Sequence, residues 1–294
     1  MSANEWLARK FEGSRAHLRA VAYRMLGSAA EADDAVQECW LRVSRADADA
    51  VENPEAWLTT VLARICLNIL RSRKSRRELS LEEEAARPAT VESGHGNPQD
   101  EALLAESVGL ALLVILERLT PAERVAFVLH DVFGVSFDEV ASIVERTPAA
   151  ARQLASRARR RVRERRTPDE ASFSQQHHAV KAFLSALRAG DIEGLLNVLD
   201  PDVVRRVDAV AAPPGVPGEL RGAVAVAEES LTYTRAARIA RPIIVDGSMG
   251  FVVAPHGRLR IAVRCTVRKR KIVVMEVVAD PARLRSLNLT LPPE

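Results

Sequence analysis

Apolar residues recur at every third or fourth position through residues 5–77, a period typical of amphipathic helices. The first stretch, EWLARKFEGSRAHLRAVAYRML, predicts a helix that ends at Gly27. Ser28 and Glu31 then form the S-x-x-E pattern of a capping box ahead of a second helix. Asn53, a favourable N-cap residue followed by proline, predicts the start of a third. The N-terminal part is therefore expected to be all-α.

A second helical stretch runs through residues 103–166. Its capping boxes are predicted at Thr120 with Glu123 and at Ser136 with Glu139. The segment GVSFDEVASIVERTPAAARQLASRA then predicts two short helices joined by a tight turn, the pattern of a helix-turn-helix. The turn carries Glu145 where glycine is usual, and a left-handed backbone there would cost about 1 kcal/mol.

Two changes in composition divide the chain. After Arg77, the stretch ELSLEEEAARPATVESGHGNPQDEA is acidic and has no apolar period, which predicts a flexible linker. From Ser172, a helix broken at Gly190 precedes three segments rich in valine and isoleucine, which predict a curved antiparallel sheet. The expected organisation is an all-α domain at 1–78, a linker at 79–105, an all-α helix-turn-helix domain at 106–168 and an α+β domain at 172–294.

Composition narrows the class of protein. The formal net charge is only +3, so basic character must be local rather than global. The three cysteines lie far apart without C-x-x-C spacing, which favours buried thiols over a disulfide framework or a metal site. No signal-peptide pattern and no apolar run of transmembrane length is found, so we expect a cytoplasmic protein.

The segment TPAAARQLASRARRRVRERR concentrates positive charge on the second helix of the predicted helix-turn-helix. In such a unit this helix enters the DNA major groove, and its first turns face the base edges. Those turns present Arg152, Gln153, Ser156 and Arg157. Arginine pairs with guanine and glutamine with adenine, each for roughly 1–3 kcal/mol of discrimination. The arginines farther along, Arg159, Arg160, Arg161 and Arg163, suit phosphates. The alternative is a solvated face in an arginine-rich chain.

A second basic cluster ends the third helix. It consists of Arg71, Arg73, Lys74, Arg76 and Arg77. Cations are favourable at any helix C-terminus, so this cluster alone does not require DNA. Two basic helical units on either side of an acidic linker nevertheless indicate two separate DNA contacts.

The residues that carry these patterns resemble a family. YRMLGSAAEADDAVQECWLRV and NPEAWLTTVLARICLNILRSRKSRR resemble region 2 of extracytoplasmic-function (ECF) sigma factors, the bacterial subunits that start transcription. The segment LTPAERVAFVLHDVFGVSFDEVASIVERTPAAARQLASRARRRV resembles their region 4. With a further domain behind it, AARQLASRARRRV resembles the subgroup that carries a fused SnoaL-like (NTF2-like) cone. The resemblance implies a region 2 helical bundle, a region 4 helix-turn-helix and an α+β cone.

The resemblance also implies partners and contact residues. Region 2 would bind the β′ clamp helices of core RNA polymerase through Asp33, Asp34, Gln37 and Glu38, and region 4 would lie at the β flap. The −10 promoter element would be read by the loop at residues 47–53 and by Asn53, Trp57, Thr60, Arg64, Asn68 and Arg71. The −35 element would be read by Arg152, Gln153, Ser156 and Arg157, with Arg160 and Arg161 beside them on DNA. Trp57 could stack on an unpaired base or belong to the core.

The C-terminal segment departs from its subgroup in places. A DGGG stretch is common there, but this chain reads VDAVAAPPG and keeps only Asp208. Related cones include isomerases and cyclases, for which Asp208, Tyr233, Asp246 and Glu276 would be the candidate groups. Because the strand positions are mostly valine, isoleucine, alanine and arginine, we expect no enzyme and no cofactor, but a regulatory module that packs against the sigma domains.

Three hypotheses follow for the whole chain. The first is a promoter-recognition subunit of RNA polymerase. The second is a ligand-responsive helix-turn-helix regulator that acts without the polymerase core, and the third is a pocket enzyme with a DNA-binding appendage. The acidic second helix and the basic third helix have a use only in the first hypothesis, which is therefore favoured.

Overall fold

The computed structural model describes residues 3–45, 53–79, 110–163, 170–208 and 218–292. They belong to two compact units, one built mainly from residues 1–84 and 116–161 and the other mainly from 162–294. The linker predicted at 79–105 lies outside the described residues except for its first residue, which ends a helix. The loop predicted at 47–53 lies outside them except for Asn53.

The first unit is helical, as the sequence predicts. Its helices are α1 (Ala3–Leu26), α2 (Ala29–Val43), α3 (Pro54–Leu79), α5 (Pro121–Phe127), α6 (Phe137–Val144) and α7 (Pro148–Arg163); a helix α4 (Leu110–Leu116) precedes α5. A short π-helix, Val128–Val132, directly follows α5 and was not predicted. Helices α1, α2 and α3 pack together around fully buried side chains such as Leu18, Met25 and Leu62.

Most of the predicted helix starts are confirmed. The side chains of Thr120 and Glu123 cap each other's main-chain N–H groups, and Ser136 and Glu139 do the same. The capping box predicted at Ser28 is only half formed: the Ser28 hydroxyl accepts from the Glu31 N–H at 3.4 Å. The Glu31 carboxylate instead pairs with the guanidinium of Arg73, because a cation satisfies a carboxylate better than a neutral N–H does.

The helix-turn-helix prediction is confirmed by α6 and α7. They are joined through Glu145, whose backbone is left-handed at φ 58° and ψ 51°. The Thr147 hydroxyl accepts from the Ala150 N–H at 3.2 Å and so caps α7. Val140 and Ala151 are fully buried, as expected for core positions on the facing helices.

The second unit is α+β, as predicted. Its helices are α8 (Glu170–Ala189), α9 (Ile192–Val198), α10 (Ala223–Leu231), α11 (Thr234–Ala237) and α12 (Pro281–Ser286). Its strands are β1 (Leu199–Val207), β2 (Glu219–Arg221), β3 (Ala240–Val245), β4 (Ser248–Val253), β5 (Ile261–Arg268), β6 (Lys271–Val278) and β7 (Leu289–Thr290). They form one sheet in the order β2-β1-β6-β5-β4-β3-β7.

The sheet differs from the prediction in its extent and in one pairing. Strands β1, β2 and β7 lie outside the three predicted segments. The pairs β3–β4, β4–β5 and β5–β6 are antiparallel as expected, but β1 runs parallel to β6. The first predicted segment is a hairpin of two strands that turns at Asp246 and Gly247. Helix α8 packs across strands β3 to β6, where Phe183 stacks on Phe251 at 6.0 Å. These side chains, with Met249 and Met275, fill the core between helix and sheet.

Candidate nucleic-acid interface

Helix α7 has one apolar and one polar face. Ala151, Ala155, Ala158 and Val162 are buried at helical spacing. The opposite face exposes the side chains predicted to read the −35 element, which are Arg152, Gln153, Ser156, Arg157, Arg160 and Arg161. The guanidinium of Arg152 lies 5.5 Å from the centre of the Phe137 ring, a contact that restrains it near the start of the helix.

Two of the arginines predicted to bind phosphates form ion pairs with carboxylates of the same chain. Arg161 donates to the nearly buried carboxylate of Glu123 at 2.9 Å, and Arg159 pairs with Asp131 at 2.7 Å. Both pairs tie α7 to the elements that precede the helix-turn-helix. A phosphate clamp at these two positions would have to compete with a carboxylate, so Arg160 is the better candidate. The side chain of Arg163 lies outside the described residues.

Helix α3 presents the residues predicted to read the −10 element on one face. Thr60, Arg64, Asn68 and Arg71 follow one another at spacings of three or four, and the last three are exposed. The Thr60 hydroxyl is used locally, because it donates to the Ala56 carbonyl at 2.9 Å. Trp57 is half-buried and Asn53 is exposed.

That face of α3 packs against the helix-turn-helix within the same unit. The Arg64 guanidinium donates to the main-chain carbonyl of Ser142 in α6, 3.4 Å away. A cleft of about 470 Å³ next to this contact is lined by Asn53 and Thr60 on one side and by Glu139 and Ile143 on the other. No feature of the sequence pattern predicts this arrangement.

A second contact joins α1 to the segment after the π-helix. The ring of Phe133 meets the His17 ring edge-on at 5.3 Å and lies 4.9 Å below the guanidinium of Arg24. Partial burial lowers the pKa of Arg24. Region 2 and region 4 residues therefore share two contact areas in this conformation.

Arg73 makes contacts within the protein. Its side chain is only 17% exposed, pairs with Glu31 and donates to the Leu26 carbonyl at 2.9 Å. It therefore fastens the end of α3 to the junction of α1 and α2. In the second basic cluster, Arg71, Lys74 and Arg76 are exposed, and the use of the cluster on DNA stays a prediction. The side chain of Arg77 is not among those described.

The acidic face of α2 is divided between paired and unpaired side chains. Asp33 accepts two hydrogen bonds from Arg19 at 2.5 and 3.1 Å, and Glu38 pairs with Arg42 at 2.8 Å. Asp34 and Gln37 are exposed, and among the described residues Asp34 has no ion pair. Asp34 is therefore the most available carboxylate on this face.

The carboxylates considered for catalysis in the second unit have structural partners. Asp208 accepts from the N–H groups of Ala279 and Asp280 at 2.9 Å each, and its side chain is 6% exposed. Asp246 accepts from the Asn288 N–H at 2.7 Å. Glu276 is bonded to Arg264 by a 2.6 Å hydrogen bond, and Tyr233 is exposed on the surface.

One buried charge pair in this unit was not predicted. Arg205 on β1 and Glu229 on α10 lie 2.6 Å apart, with side chains 7% and 17% exposed. Nothing in the sequence marks these two as partners, since arginine in a strand usually faces solvent.

The three cysteines are buried, as the sequence predicts. Cys39, Cys66 and Cys265 are buried and free, and burial raises the pKa of each thiol to about 12. Within the described ranges no cluster of three or more histidine, cysteine or carboxylate side chains could hold a metal. Among those residues, no helix combines the length and the apolar character needed to cross a bilayer.

Comparison with known proteins identifies both helical regions. Residues 11–76 match the family of Sigma-70 region 2, and residues 109–162 match that of Sigma-70 region 4. The ECF RNA polymerase sigma factor SigJ of Mycobacterium tuberculosis is 40% identical over 214 residues, which are 72% of this chain and 68% of SigJ. The probable ECF RNA polymerase sigma factor SigI of the same organism is 37% identical over 209 residues, which are 71% of this chain and 72% of SigI.

The match with the crystal structure of Mycobacterium tuberculosis SigJ covers 94% of this chain and 97% of the SigJ chain, with 32% identity and a TM-score of 0.45. The sequence relatives alone are sufficient to assign the family. The chain belongs to the ECF RNA polymerase sigma factors, the family whose members partner core RNA polymerase and promoter DNA.

Proposed function

We propose that this sigma factor selects promoters by placing α7 in the major groove of the −35 element and α3 on the −10 element, while α2 binds the β′ clamp helices. The observation that carries this proposal is the exposed Arg–Gln face of α7. It stands on the second helix of a helix-turn-helix, the position from which base edges are read.

Sequence reading at −35 is assigned to the first two turns of α7. Arg152 and Gln153 have the donors for guanine and adenine, and both are exposed. Arg157 and Arg160 continue the same face toward the phosphate backbone. Arg161 has a lesser part on DNA, because its guanidinium is bonded to Glu123.

Sequence reading at −10 is assigned to Arg64, Asn68 and Arg71. Asn68 and Arg71 are exposed, whereas Arg64 is bonded to Ser142 of the helix-turn-helix. DNA that approached Thr60 and Arg64 would therefore meet α6. Promoter engagement on this face requires α3 and α6 to part, which makes their contact a point at which activity is controlled.

The second unit is proposed to modulate this activity without chemistry of its own. Its core is filled by aromatic and methionine side chains. Its candidate carboxylates hold main-chain N–H groups or arginines. The helix and curved sheet of this unit fit a SnoaL-like cone. We assign the unit the role of a regulatory domain.

Run-off transcription tests the proposed function. Core RNA polymerase without any other sigma subunit is mixed with the full chain and genomic promoter fragments, and discrete start sites are expected. Transcripts should disappear when −35 or −10 sequences are scrambled. Tight binding of the chain alone to palindromic DNA, with no start-site selection by polymerase, would contradict the proposal.

A further inference from the structure

One aromatic side chain of α6 contacts an arginine of the helix proposed to read the −35 element. The guanidinium of Arg152 on α7 lies over the ring of Phe137, the first residue of α6, at 5.5 Å from the ring centre. Arg152 is exposed, whereas Phe137 is half-buried. Because the face of an aromatic ring attracts a cation at this distance, Phe137 restrains the guanidinium near the start of α7.

The ring of Phe137 is itself held by a second ring. The imidazole of His130, in the π-helix that follows α5, stacks on it with 3.7 Å between the ring centres and 27° between the ring planes. The imidazole is fixed in turn, because its Nδ1 is hydrogen-bonded to the main-chain carbonyl of Val135 at 2.9 Å. Phe137 therefore offers Arg152 a ring whose orientation is set by the protein.

The backbone around Phe137 is determined by hydrogen bonds close in sequence. Ser136 and Glu139 form a capping box, which fixes the residue at which α6 begins. Just before it, the Val135 N–H donates to the Leu129 carbonyl at 2.9 Å. The place of the ring at the start of α6 thus follows from the local sequence.

The contact with Phe137 leaves the N–H donors of Arg152 available. A guanidinium carries five such donors, and within the described part of the chain those of Arg152 form no hydrogen bond or ion pair. On the same helix, Arg159 and Arg161 use their donors on carboxylates. An arginine restrained by a ring keeps its paired donors for guanine, and it loses less conformational freedom when that pair forms.

We propose that Phe137 is a positioning residue for base recognition, which acts through Arg152 and sharpens the choice of base in the −35 element. This inference rests on the proposed function, in which Arg152 reads that element. The first helix of a helix-turn-helix crosses the DNA backbone, where no base edge is read. Phe137 therefore affects specificity through the arginine.

A promoter library with every −35 base varied tests this role, using core polymerase that carries the full chain. Phe137→Leu keeps an apolar side chain and removes the aromatic face. We expect its discrimination at the base pair read by Arg152 to fall about two- to fivefold, the change in equilibrium constant that an exposed cation–π contact represents. Phe137→Tyr keeps the ring and should retain the preference of the unaltered chain. Because preference is a ratio of affinities, a loss of folded protein that lowers all affinities alike does not change it.

A double variant separates positioning from a general structural role. Because Phe137 acts through Arg152, Phe137→Leu should change base preference no further once Arg152→Ala is present. A further change in that background overturns the inference. An unaltered preference of Phe137→Leu in the otherwise unaltered chain also overturns it, as does an equal loss in Phe137→Tyr.

Phe133→Leu is the matched control, because Phe133 is also a half-buried ring beside an arginine, but that arginine is Arg24 of α1. Its −35 base preference should stay that of the unaltered chain, and a change equal to that of Phe137→Leu would contradict the inference. Failure of the proposed function gives a different result. In that case Arg152→Ala itself leaves every −35 preference unaltered, which rejects the arginine as a reader together with Phe137.

Discussion

The Arg64 guanidinium and the Ser142 main-chain carbonyl are 78 positions apart in sequence and form a hydrogen bond of 3.4 Å. This bond joins the helix proposed to read −10 to the first helix of the helix-turn-helix. One face of α3 is thereby covered by another part of the same unit. We call this arrangement the closed form of the two helical regions, and we expect DNA that approaches Thr60 and Arg64 to meet α6.

Chemical cross-linking should detect the closed form and its release. In an Arg64→Cys/Ser142→Cys variant, a short bifunctional maleimide is expected to join the two exposed positions, seen as a shift in gel mobility. Adding core polymerase and promoter DNA should slow this reaction several-fold, because α3 must leave α6. Either single variant serves as the control and should give no intramolecular product. An unchanged rate in the presence of polymerase and promoter would reject the proposed opening.

Substitutions on α7 should separate the reading of bases from binding to the DNA phosphate backbone. Arg152→Ala is expected to change base preference in the −35 element by roughly 1–3 kcal/mol. Arg160→Ala should weaken binding to all sequences alike and lower the salt slope by about one phosphate contact. A promoter library with every −35 base varied measures both effects. Identical preference profiles for the two variants would show that the reading and backbone positions are wrongly assigned.

The left-handed backbone of Glu145 predicts a stabilising substitution. Glu145→Gly should raise the free energy of unfolding by about 1 kcal/mol, because glycine adopts a positive φ without a steric cost. Guanidinium titration followed by circular dichroism measures the change. Glu145→Ala keeps the Cβ atom and should bring no such gain. Equal stabilities of the glycine and alanine variants would mean that this turn stores no strain.

The acidic face of α2 predicts that losing one of its exposed carboxylates weakens binding to core polymerase. Asp34→Ala should reduce affinity for core polymerase several-fold while the melting temperature stays unchanged, because Asp34 is exposed and forms no described ion pair. Glu12→Ala is a suitable control, since Glu12 is an exposed carboxylate of α1 whose ion pair among the described residues is with Arg15. Should both variants bind core polymerase equally well, the α2 surface would be excluded as its contact.

The three thiols should be inert while the protein is folded. Burial raises the pKa of each from 9.0 to about 12, so the reactive thiolate is scarce at pH 8. A thiol reagent is expected to label none of them rapidly until denaturant is added. Because the unfolded chain loses these protons above pH 9 and the folded chain retains them, the free energy of unfolding should fall between pH 9 and 12. Rapid labelling of the native protein would contradict this burial.

The features that the sequence predicted are local ones. The two capping boxes, the Thr147 cap and the left-handed turn at Glu145 each depend on residues within four positions of one another. Hydrophobic period and turn chemistry are sufficient to locate such elements. The same reasoning placed β3 to β6, but not β1 or the short β2 and β7, whose pairing comes from elements far away in the chain.

The features that the sequence missed join distant positions. Arg161 with Glu123 and Arg73 with Glu31 are separated by 38 and 42 residues, and each pair gives an arginine of a predicted DNA-binding cluster a partner within the protein. A basic pattern gives the position of positive charge but not the carboxylate that folding brings beside it. The expected reading positions on α7 are exposed, as are Arg64, Asn68 and Arg71 on α3, whereas Trp57 and Thr60 are half-buried. Their use on DNA remains a prediction.

The edge of the sheet has a practical consequence for handling the protein. Strand β7 pairs with β3, and the carboxylate of Asp246 holds the Asn288 N–H just before it. Any shortened form that ends ahead of Asn288 would lack the strand that pairs with Ile244 and Val245, which would lengthen the open edge of β3. Open edges recruit strands from other molecules, so we expect the shortened protein to aggregate more readily than the intact chain.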